Sequence, residues 1–365
     1  MIVRKLTAEG FRNLHPTVWQ PGEGVNILYG DNAQGKTNLL EACWLFTGSR
    51  SFRGAKDGEM VALGEDCDRL GLAFTAGGRE QEAAITIRQR RQVTLNGVSL
   101  SSAAKLAGVF CGVVFSPAHL SLVKDGPEGR RRFVDSAYCQ LRPGYVGSLT
   151  EFHKALTQRN AFLRQIKDDP ALCGQEELLE LWDHALAVAG ARLTVARCHY
   201  LQRLQPLAAV IYDGLSGGRE QLSLRWESQA ITESSAADIA RSWMTSLQQA
   251  RRADRVAGFS TVGPHRDDLG IYLDGMPVKV YGSQGQQRSA VLALKLAEAS
   301  LLEQVTGETP VAFLDDVMSE LDVSRQDYIL NHIEGWQVFI TCCEPSSTLR
   351  ATAGRVFQIK QGVIV

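Results

Sequence analysis

Gly30-Asp31-Asn32-Ala33-Gln34-Gly35-Lys36-Thr37 is preceded by the short apolar run Val25-Asn-Ile-Leu-Tyr29 and followed by Asn38-Leu-Leu-Glu-Ala-Cys-Trp-Leu-Phe46. The run before it reads as a buried strand and the stretch after it as a helix, the setting in which GxxxxGK[ST] acts as a phosphate loop. Glycines let the backbone N–H groups of residues 30–35 curl around phosphate oxygens, and the helix N-terminus adds partial positive charge. Lys36 is then expected to reach the β- and γ-phosphates of ATP, and the Thr37 hydroxyl to hold Mg²⁺. This stretch predicts an α/β P-loop fold.

A second half is needed for hydrolysis. Val311-Ala-Phe-Leu314 is an apolar run ending in Asp315-Asp316, and a carboxylate at the carboxyl end of such a strand lies where open α/β sheets bind ligands. Asp315 is expected to hold Mg²⁺ through water, and Asp316 to orient or deprotonate the attacking water. Thr37 and Asp315 stand 278 residues apart, too far for a compact GTPase-like domain. Between them, Ser283-Gln-Gly285-Gln286-Gln287 opens an amphipathic helix through Val291, Leu294, Ala297 and Leu301. A serine hydroxyl and a flexible glycine at a helix N-terminus make a second anion-binding device. One triphosphate rarely needs two such devices from one chain, so Ser283, Gly285 and Gln286 are expected to act in trans, in a homodimer closed by ATP. Ser319 and Asp322, in Ser319-Glu-Leu-Asp322, fit a D-loop crossing that interface.

The rest of the chain bounds this reading. It has 365 residues, 44% of them hydrophobic and 22% charged, ordinary globular usage with enough apolar content for a sizeable core. A formal net charge of −1 carries no global polyanion signal, so any DNA contact rests on local basic clusters. Those clusters are Arg50 with Arg53, Arg88 with Arg90 and Arg91, and Arg130-Arg131-Arg132; the first pair is favoured only by the family resemblance given below. The eight cysteines lack metal or disulfide spacing, as expected of thiols in a reducing cytosol. The N-terminus has no apolar core of a secretory signal, and the uncharged stretch Leu106–Val123 reads as a buried strand plus turn. A cytoplasmic protein without a membrane span is expected.

Ile85-Thr-Ile87 and Val93-Thr-Leu95 read as strands, with Asn96-Gly97 as a hairpin-type turn. From about Gly144 the period becomes helical. One helix is expected through Phe152, Leu156, Phe162 and Ile166, broken by Asp168-Asp169-Pro170. A second runs from Gln175 and ends near Pro206. Both a projecting helical arm and a plain helical subdomain fit. The expected division is 1–125 for the first part of the ATP-binding lobe and 126–258 for an inserted helical lobe. Residues 259–365 would then supply the signature helix, the aspartate strand and the completion of the first lobe.

These motifs together resemble the RecF family, SMC-like ABC ATPases of bacterial recombination repair, along the whole chain. The resemblance is carried by Phe11-Arg-Asn13, Gly30–Glu41, Ser49-Arg-Ser-Phe-Arg53, Arg131-Arg-Phe133, Gly263-Pro-His-Arg-Asp-Asp-Leu269 and Gln284–Arg288. It implies a two-lobed ABC/SMC-type ATPase head with an inserted mainly α-helical lobe. It also implies an ATP-induced dimer that binds double-stranded DNA and gap junctions without sequence readout. Such a protein works with RecO and RecR to help load RecA, with a link to the SOS response. Weak, DNA-stimulated ATPase activity is expected, because Asp316 stands where many ABC enzymes carry the longer Glu. Thr341-Cys-Cys-Glu344 offers no switch histidine, and Phe115-Ser-Pro-Ala-His119 no Q-loop glutamine. The alternative is the nucleotide-binding subunit of a membrane ABC transporter, disfavoured by the helical insert and the missing histidine.

Overall fold

The computed structural model describes residues 1–120, 122–168, 176–230, 234–344 and 354–365. The chain forms two compact units. The first comprises Met1–Ser121, Leu207–Gln221 and Ser283–Val365; the second comprises Leu122–Pro206 and Leu222–Gly282.

Two sheets build the first unit. One is antiparallel, in the order β2-β1-β4-β5-β6-β7, from β1 (Ile2–Glu9), β2 (Thr17–Trp19), β4 (Asp68–Ala76), β5 (Arg79–Ile87), β6 (Arg91–Leu95) and β7 (Val98–Leu100). Burial along β4 largely alternates, as it does in a strand with one face on the core. The turn expected at Asn96-Gly97 joins β6 to β7, both residues taking the left-handed φ that a tight hairpin requires (50° and 78°). The other sheet runs β15-β14-β3-β13-β12-β8. Its members are β3 (Val25–Tyr29), β8 (Gly112–Phe115), β12 (Val311–Asp315), β13 (Val338–Cys342), β14 (Arg355–Lys360) and β15 (Val363–Ile364). Every residue of β8, β12 and β13 is buried, which is why these strands read as unbroken apolar runs. All pairings from β8 to β14 are parallel, so their carboxyl ends share one edge.

In the second unit the helices Pro127–Leu141, Tyr145–Asp168 and Ala236–Ala257 pack with most of the long helix Glu176–Ser216. Tyr145, Phe152, Leu186, Ala189, Leu193, Ile239, Trp243 and Leu247 share a core, so the region is a packed subdomain; a bare hairpin would leave these stripes in water. The breaker Asp168-Asp169-Pro170 lies mostly outside the described residues, and the first helix ends at Asp168. Pro206 does not end the second helix, contrary to expectation. The helix runs through it to Ser216, although an interior proline costs about 3 kcal/mol. The ten residues beyond it bury Ala208, Ile211 and Tyr212, roughly 1.5–3 kcal/mol for each large side chain, which outweighs the lost bond. Residues 259–282, grouped with the last segment in the sequence reading, fall in the second unit. The physical cause is a local sheet: β10 (Asp268–Leu273) pairs antiparallel with β9 (Leu222–Glu227) and β11 (Met276–Pro277). Among the described residues no helix is long and apolar enough to cross a membrane.

Candidate functional site

The phosphate loop leaves β3 and enters the helix Lys36–Trp44. Its path needs unusual backbone: Gly30 has φ 149° and Gly35 φ 107°, with the non-glycine Ala33 at 65° between them. At Gly30 a Cβ would approach the Ile359 carbonyl oxygen to 2.3 Å, so only glycine fits. The Lys36 ammonium is folded onto the loop, donating to the carbonyls of Gly30 at 2.5 Å and Asp31 at 2.8 Å.

β13 lies between β3 and β12 in the sheet, and this order assembles the site. Thr37 Oγ1 donates to Asp315 Oδ1 at 2.7 Å, joining the two halves. Thr341, from the end of β13, donates to the same oxygen at 3.0 Å and accepts from the Asp316 amide at 2.9 Å. Burial pushes the Asp315 carboxyl up, against the lowering effect of the Thr37 and Thr341 hydroxyls. Asp316 is held at φ 52°, a left-handed conformation costly for a non-glycine residue, and lines the cleft. That cleft, about 380 Å³, is bounded by Asn13, residues 32–38, Arg53 and Asp316. The Thr37 hydroxyl and the Asp315 carboxylate are oxygen donors, the ligand class that magnesium takes. They converge beside the loop, so these residues fit Mg²⁺.

Beneath the helix sits a network that sequence reasoning missed. Glu41, fully buried, accepts two bonds from Arg12, at 3.0 and 3.1 Å, and one from Ser51 Oγ. Arg53 lies 4.0 Å from Glu41 and donates to Asn38 Oδ1 at 2.9 Å. Asn13 donates to the Ala33 carbonyl at 3.0 Å and accepts from Asn38 at 2.6 Å. The signal was present in Phe11-Arg-Asn13 and Ser49–Arg53, but nothing in their spacing says that both meet Glu41. Thr341 likewise stood in view, in the segment read for a missing histidine. Its neighbour Cys343 donates to Asn32 Oδ1 at 3.2 Å.

The basic clusters separate. Arg53 is exposed and lines the phosphate cleft; Arg50 is exposed too, and its carbonyl accepts from the Trp44 indole at 2.9 Å. Arg88 and Arg90 are exposed, and Arg91 pairs with Asp57 at 2.8 Å. Arg130 is buried and bound bidentate to Asp268, both bonds 2.7 Å; Arg131 donates to the Asp267 carbonyl at 2.5 Å. Those two are framework. Arg132 is exposed and paired with Glu128.

Ser283, Gly285 and Gln286 are not among the residues lining the phosphate cleft. Ser283 is the N-cap of the helix Gln284–Thr306: its hydroxyl accepts from the Gln286 amide at 3.2 Å, and Gln286 Oε1 accepts from the Ser283 amide at 2.6 Å. Gln286 also donates to Glu220 at 2.5 Å. Gly285 is half-buried in the first turn, near Arg325. Ser319 donates to the Asp316 carbonyl at 2.9 Å, and Asp322 caps the helix Val323–His332 through the Arg325 amide at 3.0 Å. Ser283, Ser319 and Asp322 are all exposed.

Comparison with known proteins places this arrangement. The profile of the RecF/RecN/SMC N terminal domain family matches residues 2–364. The DNA replication and repair protein RecF of Ruminiclostridium cellulolyticum is 38% identical over 373 residues, covering 100% of this chain and 99% of its own. That of Synechococcus sp. (strain JA-3-3Ab) is 39% identical, covering 100% and 97%. Among solved structures, the recombination mediator protein RecF-ATPrS in the RecFOR pathway superposes with a TM-score of 0.92 at 36% identity, over 99% of this chain and 97% of its own. The Smc head domain of Pyrococcus furiosus, at 14% identity and a TM-score of 0.55 over 100% and 95%, shares the fold. These matches lend no support to a transporter subunit. With a family match spanning residues 2–364 and relatives 38% and 39% identical over almost their whole length, the chain belongs to the RecF family of DNA replication and repair proteins.

Proposed function

We propose that this chain is an ATP-operated DNA clamp: it binds ATP at the phosphate loop, dimerises head to tail, and engages DNA near single-strand gaps. There it acts with RecO and RecR to help load RecA. The observation that carries the reading is the Thr37–Asp315 hydrogen bond, which unites motifs 278 residues apart at one cleft. Full-length relatives named DNA replication and repair protein RecF, and a similar solved structure described as the recombination mediator protein RecF-ATPrS in the RecFOR pathway, support the biological side.

Each residue then has a task. The loop amides and Lys36 hold the triphosphate, Lys36 exchanging loop carbonyls for phosphate oxygens. Thr37 and Asp315 would hold Mg²⁺, which would supply positive charge against that of the triphosphate. Asp316 orients the attacking water and accepts its proton. Its carboxylate is one methylene shorter than glutamate, so turnover is slow and the closed state long-lived. Ser283, Gly285 and Gln286 meet the γ-phosphate of the partner's ATP, with Ser319 and Asp322 beside them at the interface. Arg50 contacts duplex phosphates, while Arg53, at the cleft, links that contact to the nucleotide. Work in the cytoplasm follows from the task.

Light scattering of the wild-type protein with ATP and Mg²⁺ tests the clamp. A dimer is expected, dissociating as ATP is consumed, with specific activity rising with protein concentration. A protein that stays monomeric at every concentration, yet hydrolyses ATP at a constant specific rate, would overturn it.

A further inference from the structure

The loop that follows Asp316 and the first turns of the signature helix Gln284–Thr306 come from separate segments, yet the structure binds them at several points. Gln326 Nε2 donates to the carbonyls of Met318 at 2.6 Å and Leu321 at 3.0 Å, and Ser319 donates to that of Asp316, so the loop is closed on itself. From the signature helix, Arg288 Nη1 donates to the Glu320 carbonyl at 3.0 Å, and its Nη2 lies 3.5 Å from the Glu320 carboxylate. From the other side, Arg325, in the first turn of the helix Val323–His332, donates from Nε to Ser289 Oγ at 3.0 Å. Its Nη1 pairs with Asp322, and its Nη2 is 3.6 Å from where a Cβ on Gly285 would sit. Further along the same two helices, Ser300 Oγ stands 3.2 Å from His332 Nε2.

Neither arginine side chain is needed to close a helix end. The Ser283–Gln286 capping box satisfies the start of the signature helix, and Asp322 accepts from the Arg325 amide whatever the Arg325 side chain does. Nor do these pairs carry much of the fold. The side chains of Arg325 and Asp322 are 25% and 52% exposed, those of Arg288 and Glu320 41% and 34%, a range in which ion pairs add little stability. What the Arg325 guanidinium supplies is geometry. One rigid plane meets the Asp322 carboxylate, the buried Ser289 of the signature helix and the backbone at Gly285. A lysine ammonium, a point charge on a flexible stem, fixes no such plane.

We propose that Arg325 is a positioning residue for the partner's ATP: it sets the Ser283–Gln286 turn against the loop that leaves Asp316. This role rests on the head-to-tail dimer proposed above. In that dimer the Asp316 of one copy serves the ATP on its own Lys36, whereas its Ser283 serves the ATP of the partner. The chain of contacts from Asp316 through Ser319 and Glu320 to Arg288, with Arg325 beside it, therefore ties a residue of one composite site to residues of the other. Arg325 need touch no nucleotide, because it acts through Ser283, Gly285 and Gln286 on the site across the interface.

Mixing full-length variants tests this, because it tells on which copy's site a defect falls. Arg325→Ala alone should bind ATP and melt as the wild type does, while hydrolysis at saturating ATP falls about tenfold or more. Arg325→Lys should restore only part of the loss. Mixed with Lys36→Met, Arg325→Ala should regain activity, since one composite site of the mixed dimer then carries neither defect. Mixed with Ser283→Arg it should show no gain over the two parents, since both defects lie on the signature side and each site keeps one. Recovery with Ser283→Arg and none with Lys36→Met would place Arg325 on the side of its own Asp316 and overturn the proposal, as would wild-type hydrolysis by Arg325→Ala. Ser289→Ala, which removes the acceptor from the other helix, should show the same pattern of recovery and answers the question if Arg325→Ala does not fold. The pair Ser283→Arg with Lys36→Met is the control. If it recovers while Arg325→Ala departs from the expected pattern, the positioning role falls and the dimer stands; if it does not recover, both fall.

Discussion

The phosphate cleft and the end of the signature helix, both assigned to phosphate in the reading proposed here, are finished to different degrees. At the cleft, groups from three parallel strands converge: the loop after β3, Thr341 from β13, and Asp315 and Asp316 from the end of β12. A buried carboxylate, Glu41, braces it from below. At the signature end, Ser283 is exposed, its bonds among the described residues running to its own first turn, with Gln286 bound on to Glu220. One is a site with walls; the other, as proposed, is a half-site completed by an opposing surface. Subunit association, in the reading proposed here, is therefore part of the chemistry.

The two regions can be told apart by mutation, and the largest effect is expected at the cleft. Asp316→Asn should lower hydrolysis by about two orders of magnitude or more, while the protein still binds ATP and accumulates as a dimer. Asp315→Asn should instead weaken Mg²⁺-dependent nucleotide binding itself, read by titration with a fluorescent ATP analogue. The reverse pattern would exchange the two roles.

At the half-site, Ser283→Arg should bind ATP as a monomer yet neither dimerise nor hydrolyse. Mixed with Lys36→Met, it should regain part of the activity, because one composite site of the mixed dimer carries both defects and the other neither. Without that recovery the in-trans assignment fails.

Glu41→Ala should act on stability first. It strips Arg12 and Ser51 of a buried partner, a loss of about 2–4 kcal/mol for a pair that is only partly solvated. Denaturant unfolding would measure it, and a change below about 0.5 kcal/mol would show that the cleft does not rest on this network.

The smallest effect concerns Asp68, a carboxylate that shares the burial of Asp315 and has no part in the cleft. Burial pushes it up to about 7, against lowering by the Ile87 amide and Arg91. Between its unfolded value near 4 and about 7, the folded chain holds the extra proton. Stability contributed by Asp68 therefore falls as pH rises through that window. Asp68→Asn should flatten this slope and raise stability at pH 8 by about 1 kcal/mol, with ATP binding unchanged. An unaltered pH profile would mean that Asp68 is charged throughout. A raised carboxyl, then, marks burial; the Thr37 and Thr341 contacts are what mark Asp315 as a site residue.

Much of this protein was legible in its residues. The glycines and Lys36-Thr37 prescribe a phosphate loop because that backbone path and that charge admit few substitutes. The unbroken apolar run at Val311–Leu314 announces a strand buried on both faces. The Ser283–Gln286 capping box is likewise local, its partners three residues apart. Tertiary structure alone decided what lies between distant segments. No periodicity says that β13 sits between β3 and β12, bringing Thr341 onto Asp315, or that Glu41 gathers Arg12, Ser51 and Arg53. Nor does it say that the helix survives Pro206, since that depends on burial supplied by residues far along the chain. Local chemistry sets backbone path and capping. Strand order and buried ion pairs depend on which surfaces exclude water together, and that belongs to the folded chain as a whole.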